Sequence, residues 1–377
     1  MTVPSPLQEC IANYELTWSK PDDVENRTGA ATGQMEETFL CEFLPWGEGG
    51  CSVLATTGSV ELEYAAIRKS VGMFDASCRG IISLEGEDRL AFIDRMTTQL
   101  LTDIHDGDAL LAFILNRKGR IIADVIVVCE KDRILVDCDV TVVSAIIDHF
   151  KLFIVADDVK ITNVTQQEHR IWLIGPLAKE LDEFGTTFTL PKQFLGVEGT
   201  ALTISPEDAE VFWQKIVDKS IRPVGWHALN MARVEEGTPL FRIDYDNENL
   251  PHETSSCHSR VKFDKGCYLG QEVVARMESL GRPKQLLVHL ELSNDELPTA
   301  GTQIWDTMTD GGGKAIGVVT SSAISPMKGG VVSVIAMVKN SCSADGTEVF
   351  PLIGEEKMKA VVRPLSPKEE VLSLIHI

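Results

Sequence analysis

An α+β fold that ends in a small β-barrel or sandwich follows from three features of this 377-residue chain. Between residues 81 and 162, apolar positions switch between strand spacing and helical spacing, and a glycine-bearing turn joins two of the strands. Residues 170 to 265 repeat that strand-and-helix rhythm more loosely. After Arg282-Pro283 the helical spacing stops, and short strands follow one another between Gly, Pro and Asp. The length exceeds one ordinary core, so two or three domains are expected.

In the first block, Ile81 to Leu84 reads as a strand. Glu87-Asp88 then offers an acidic helix start, with Leu90, Ile93 and Met96 at helical spacing. Leu110 to Leu115 and Arg120 to Val128 are strands joined by Asn116-Arg117-Lys118-Gly119, where glycine supplies positive φ. Ile134 to Asp137 is another strand. Val140, Val143, Ile147 and Phe150 mark an amphipathic helix, and Val159 to Thr162 a closing strand. These make an antiparallel sheet with helices on one side. In the second block, Arg170 to Ile174 reads as a strand, with helices near Leu177 to Phe184 and over Gly225 to Arg233. The last unit has strands at Gln285 to Glu291, Gln303 to Trp305, Ala315 to Ser321 and Val331 to Lys339. The longest apolar runs, such as Val331 to Val338, are too short to span a bilayer, so no membrane partner is expected.

A net charge of −21 and a pI near 4.8 exclude an extended nucleic-acid surface, which needs clustered Lys and Arg. A compact basic pocket for a small anion remains compatible with such a shell. Nine cysteines, odd in number and without C-x-x-C pairs, fit a reducing cytoplasm. The first residues lack a basic start and an apolar core, so no secretory signal is read there. Residues 1–35 read as a polar extension, and residues 372–377, after the charged Pro367-Lys368-Glu369-Glu370, as translated adapter or vector sequence outside the fold.

Chemistry concentrates in three places. Lys265-Gly266-Cys267-Tyr268-Leu269-Gly270-Gln271-Glu272 has neither strand nor helix period, and its glycines permit special backbone geometry or close approach of a ligand. Lys265 and Arg276 could favour thiolate at Cys267; equally, the cysteine could be a small buried residue of a tight loop. Asp124 shares a strand face with Ile122, Ile126 and Val128, where an unpaired carboxylate is costly. It either anchors a hydrogen-bond network or faces a pocket that uses its charge. Arg233 and Glu235 read either as a surface pair at a helix end or as a polar anchor, since a carboxylate accepts paired N–H donors as a fork.

The octapeptide resembles the K-G-C-[FY]-x-G-Q-E signature of the YgfZ-type folate-binding proteins, relatives of the glycine-cleavage T-protein, an aminomethyltransferase. Further landmarks are similar in the same order: Ser70 to Asp75 before Ile81 to Glu87, Lys118 to Asp124, Arg233-Val234-Glu235-Glu236-Gly237-Thr238-Pro239, and Gly317-Val318-Val319-Thr320-Ser321. The resemblance runs from about Glu36 to Pro364. It implies a T-protein-like cloverleaf around a central funnel. Residues 36–70 with 165–280 would form one α+β, ferredoxin-like module and 71–164 a second, followed by a β-barrel over 283–366.

The resemblance also implies tetrahydrofolate as the bound molecule. Glu235 would hold the pterin, with Arg233 balancing it. Asp124 would lie near the reactive nitrogens, assisting transfer, and Cys267 within reach as a reactive thiol. Lys265, Tyr268 and Gln271 complete the expected folate-binding set, Tyr268 also reading as packing, and Gln271 and Glu272 as braces of the loop. Arg117, Lys118 and Arg120 at the hairpin tip are ordinary solvated charges or contacts for a polyglutamate tail. The family's folate enzymes carry an aromatic–glycine pair where Phe241-Arg242 stands here. The implied role is support of iron–sulfur enzymes or their assembly proteins and, indirectly, of tRNA modification. The alternatives are a folate-dependent aminomethyl or methyl transferase, as in glycine cleavage, or a scaffold with a vestigial site. No metal site is expected: Cys257, His258 and Cys267 have no ligand spacing, and one cysteine cannot hold a cluster.

Overall fold

The strands expected between residues 81 and 162 come together as one antiparallel sheet. In the computed structural model, residues 4–14, 41–47, 51–181, 184–185, 187–293, 295–309 and 312–365 are described. The chain begins with α1 (Gln8–Ala12), then the hairpin β1 (Glu42–Pro45) and β2 (Ser52–Thr56), α2 (Val60–Lys69) and β3 (Gly72–Asp75). Next come β4 (Arg79–Glu85), α3 (Arg89–Met96), β5 (Ala109–Leu115), β6 (Ile121–Cys129), β7 (Ile134–Asp139), α4 (Val143–Lys151) and β8 (Lys160–Asn163). The chain then returns through β9 (His169–Ile174), β10 (Phe188–Leu190), α5 (Lys192–Leu195), β11 (Gly199–Ile204), α6 (Ala209–Asp218), β12 (Arg222–Pro223) and α7 (Trp226–Glu235). Two more helices, α8 (Cys257–Arg260) and α9 (Gln271–Leu280), precede the C-terminal strands. Those are β13 (Gln285–Leu292), β14 (Gln303–Trp305), β15 (Ala315–Ser325), β16 (Val331–Lys339), β17 (Glu348–Ile353), β18 (Glu356–Lys357) and β19 (Ala360–Arg363).

One sheet has the order β10-β11-β9-β3-β12, and the other β5-β6-β7-β4-β8. The C-terminal strands run β14-β15-β16-β13-β19-β17, and β17 pairs back to β14, closing a six-stranded barrel. The fold is therefore α+β with two N-terminal modules and a barrel. Strand β6 is buried on both faces. Ala123, Val125 and Val127 join Phe92 and Phe150 under α3 and α4, whereas Ile126 and Val128 join Phe74, Trp172 and Ile174 of the other sheet. Asp124 lies on that second face, aimed between the modules.

Three expectations need correction. The start of the polar extension is anchored: Leu7 and Ile11 are fully buried against Leu54, Met73 and Trp213, because apolar residues at helical spacing find a groove there. Strand β3 pairs with β9 and β12, so the first module takes residues expected in the second, whose sheet starts at Arg79. The helix expected over 177–184 is only a 3-10 turn at Ala178–Glu180 among the described residues. Residues 372–377 lie outside the described residues. No described helix is long and apolar enough to cross a membrane.

Candidate functional site

Three hollows meet around Trp226, Phe241 and Arg242. The innermost is a slot of about 30 Å³, room for a water, walled by Trp46, Phe74, Trp172, Phe194, Trp226 and Phe241, with Asp124, Asp139 and Arg79 also on its lining. Beside it, sharing Trp46, Trp226 and Asp139, a vestibule of about 450 Å³ opens between the first module and the barrel residues Ala300 and Thr320 to Ser322. A third cleft of about 460 Å³, along the tip of the β5–β6 hairpin, shares Phe241 with the slot and Arg242 with the vestibule. The two larger hollows fall in the range of small-molecule sites, ~300–1,000 Å³.

Aromatic walls are held by polar contacts behind them. Trp46 Nε1 donates to Asp139 Oδ2 at 2.9 Å, and its ring meets Trp226 edge-on at 5.0 Å. Arg79 donates to Asp137 and stacks its guanidinium over Phe194 at 5.0 Å. Trp172 Nε1 is buried without a hydrogen-bond partner among the described residues, an orphan donor on a residue of the slot wall.

Asp124 is buried and accepts from Arg260 Nε at 2.8 Å and 2.9 Å and from the Tyr245 hydroxyl. Arg260 therefore balances the carboxylate charge. Burial and the Asp124 charge push Tyr245 well above its usual range, so it stays protonated and donates. Asp124 thus anchors a hydrogen-bond network and also stands on the lining of the slot. A carboxylate has about four acceptor sites, so three incoming bonds leave capacity for a ligand donor.

Of Asp124, Glu235 and Cys267, expected in one hollow, only Asp124 lines any of these three. Glu235 lines none of these clefts: its oxygens accept from the Tyr64 hydroxyl, Arg68 and Ser325, tying α7 to α2 and the barrel. Burial opposes its charge, but Ser325, Tyr64 and Arg68 outweigh that and hold its carboxyl below the usual range. Arg233 does not pair with Glu235. It is fully buried and donates to Asp244 at 2.7 Å, Ser321 at 2.7 Å and Asn230 at 3.0 Å. Ser321 and Asn230 line the vestibule, so Arg233 shapes that hollow from behind.

Cys267 is exposed and lines none of the three hollows. Lys265 is turned away from it, its ammonium taking the carbonyls of Asp94, Thr97 and Gln99 at the end of α3. Burial lowers the Lys265 pKa, with Asp94 opposing. Tyr268 is buried among Phe113, Leu115 and Val274. Gln271 and Glu272 open α9 and do not brace a loop. The octapeptide is thus a joint between the second module and α9. Among the described residues, no group of three His, Cys, Asp or Glu is placed to hold a metal.

Trp46, Trp172, Trp226, Arg260, Tyr245 and Asp244 were not singled out from the sequence. Phe241-Arg242 carried a signal: Arg242 stands where glycine is usual, and its φ is 72°.

Residues 34–187 match the GCVT N-terminal domain family, and residues 285–367 the glycine cleavage T-protein C-terminal barrel domain family. A curated aminomethyltransferase of Bacillus pumilus is 26% identical over 354 residues, covering 86% of this chain and 94% of that protein. The crystal structure of glycine cleavage system aminomethyltransferase T from Bartonella henselae superposes with a TM-score of 0.79 at 20% identity, covering 97% of this chain and 98% of that one. That likeness extends to the whole fold.

Proposed function

We propose that this chain, which matches two domain families of the glycine cleavage T-protein, binds tetrahydrofolate and moves a one-carbon unit to or from it, in the manner of an aminomethyltransferase. The observation that carries the reading is Asp124: a charge-balanced carboxylate with spare acceptor capacity, on the lining of an aromatic slot beside a vestibule of ligand size. When bound, tetrahydrofolate supplies the amine nitrogens that carry the one-carbon unit. Trp46 and Trp226 offer apolar faces to a flat ring. Asp124, behind the vestibule in a slot with room for a water, reaches the amine N–H through such a water, and its charge stabilises positive charge that develops on the transferred carbon. Arg260 and Tyr245 keep that carboxylate fixed, so it need not reorganise during the step.

Titration with tetrahydrofolate, followed by tryptophan fluorescence and calorimetry, tests the binding half. Saturable quenching with matching heat is expected; a flat titration would sink the proposal. Asp124→Asn keeps an acceptor oxygen for Arg260 and is expected to bind folate while one-carbon transfer with an aminomethylated lipoyl carrier falls about 100-fold or more. A variant that turns over like the parent would remove Asp124 from the chemistry.

The octapeptide, with its exposed thiol at Cys267, favours a second reading, in which a folate-binding protein supports iron–sulfur enzymes, cytoplasmic tRNA-modifying ones among them. Complementation of a strain lacking its own YgfZ-type protein separates the two. Rescue by the parent but not by Cys267→Ala would support this reading, and equal rescue would remove the thiol from it.

A further inference from the structure

Trp46, Asp139 and Trp226 line both the slot and the vestibule, so they form the wall between a space for one water and a space for a ligand. Trp226 opens α7 and Asp139 closes β7, and the modules that carry them fix both. Trp46 arrives differently, just beyond β1, in a two-stranded sheet that joins neither five-stranded one. Its indole must be held from outside, and Asp139 holds it. Asp139 Oδ2 accepts from Trp46 Nε1 at 2.9 Å, and Oδ1 from the backbone N–H of Thr141 at 2.9 Å. The hairpin tip rests on that same Thr141: a Cβ at Gly47, whose φ is 69°, would sit 2.5 Å from Thr141 Cγ2. Asp139 is buried, yet it has no ion pair among the described residues, and the donors it accepts from, Trp46 and Thr141, are neutral.

We infer that Trp46 is a specificity-determining residue and Asp139 its positioning residue. Together they keep the solvent of the vestibule out of the Asp124 slot, so that the folate amine, and not water, takes the one-carbon unit. The inference rests on the folate reading above and deepens it by naming what decides the acceptor. A carbon activated for attack by an amine is also open to water, and exclusion of bulk solvent separates the two outcomes. The slot, about 30 Å³, admits a single water, whereas the vestibule, about 450 Å³, holds many. The edge-on contact of Trp46 with Trp226, ring centroids 5.0 Å apart, closes the seam between hairpin and helix. Where water wins, the carrier's S–CH2–NH3+ group and one H2O become free thiol, formaldehyde and ammonium, with no change of oxidation state. Loss of the indole would join the two hollows and favour that outcome.

The experiment uses the full chain, tetrahydrofolate and an aminomethylated lipoyl carrier, and measures the share of one-carbon units released as formaldehyde. Trp46→Ala is expected to raise that share about tenfold over the parent. Asp139→Ala, which frees the indole, should raise it too. Trp46→Phe keeps a ring in the wall but loses the bond, so a smaller rise is expected, and adding Asp139→Ala to it should change little further. A second readout needs no substrate. The Trp172 Nε1–H is buried on a residue of the slot wall, and its exchange with solvent, followed in indole nitrogen-15 spectra, should quicken about tenfold in Trp46→Ala. An unchanged formaldehyde share or unchanged Trp172 exchange in Trp46→Ala would overturn the inference while leaving transfer to folate intact. Additive effects of Trp46→Phe and Asp139→Ala would overturn the positioning role of Asp139. A parent that gives no one-carbon unit to folate would overturn the folate reading, and this inference with it.

Discussion

At the scale of single residues, Arg242 sets strain against contact. Its left-handed backbone costs about 1 kcal/mol relative to glycine. Arg242→Gly is therefore expected to raise the unfolding free energy by about that much. Urea denaturation of the two proteins checks this; an unchanged or lower midpoint would mean that contacts of the long side chain offset the strain. Asp124 teaches a different lesson. A carboxylate on an apolar strand face announced that it must have a partner, and it does. The partners, Arg260 and Tyr245, lie 136 and 121 residues away, so no local pattern could name them. The neighbours of Glu235 were hidden for the same reason: Tyr64, Arg68 and Ser325 reach it from other parts of the chain. Residue chemistry was legible; the identity of the neighbour was not.

At the scale of elements, strands β4 to β8 lie within two residues of where periodicity placed them, because each has its own alternation or a long apolar run. The octapeptide was harder. Its two glycines looked equivalent, yet only one is required. Gly270 has φ 83°, and a Cβ there would sit 2.7 Å from the Asn116 carbonyl oxygen at the β5–β6 turn. Gly266 has no positive φ, and a Cβ at that position would meet no heavy atom within 4 Å. Gly270→Ala is expected to cost about 2 kcal/mol or more, combining left-handed strain with displacement of α9 from the hairpin. Gly266→Ala should stay within about 0.5 kcal/mol of the parent. Thermal unfolding of the pair measures the contrast, and equal losses would show that the signature is not this joint. Helix α9 itself was hidden because, of its residues, only Val274 is buried, too thin a stripe to read as amphipathic.

At the scale of the whole molecule, buried cations join the parts. Arg170 of the first sheet binds Asp137 of the second, and Arg233 of α7 binds Ser321 of the barrel, both arginines almost fully buried. Such contacts leave no trace in periodicity, which explains why the modules were visible and their docking was not. The same burial sets the response to acid. His289 of the barrel is buried, and its Nε2 lacks a partner among the described residues. Burial, with Lys328 nearby, lowers its pKa to about 4. A base with a depressed folded value binds more protons when unfolded, so it removes stability as pH falls from the unfolded value near 6.5 toward 4. Between pH 7 and pH 5 that loss is about 2 kcal/mol. Glu235 acts lower down. Its depressed carboxyl gives stability above its ordinary value near 4.5, lost as pH falls through the folded value. His289→Leu is therefore expected to flatten the stability profile between pH 7 and pH 5 by about 2 kcal/mol while leaving the steeper fall below pH ~4.5 in place. Denaturant midpoints across that range decide it. A variant whose profile parallels the parent's would place the acid sensitivity outside the barrel.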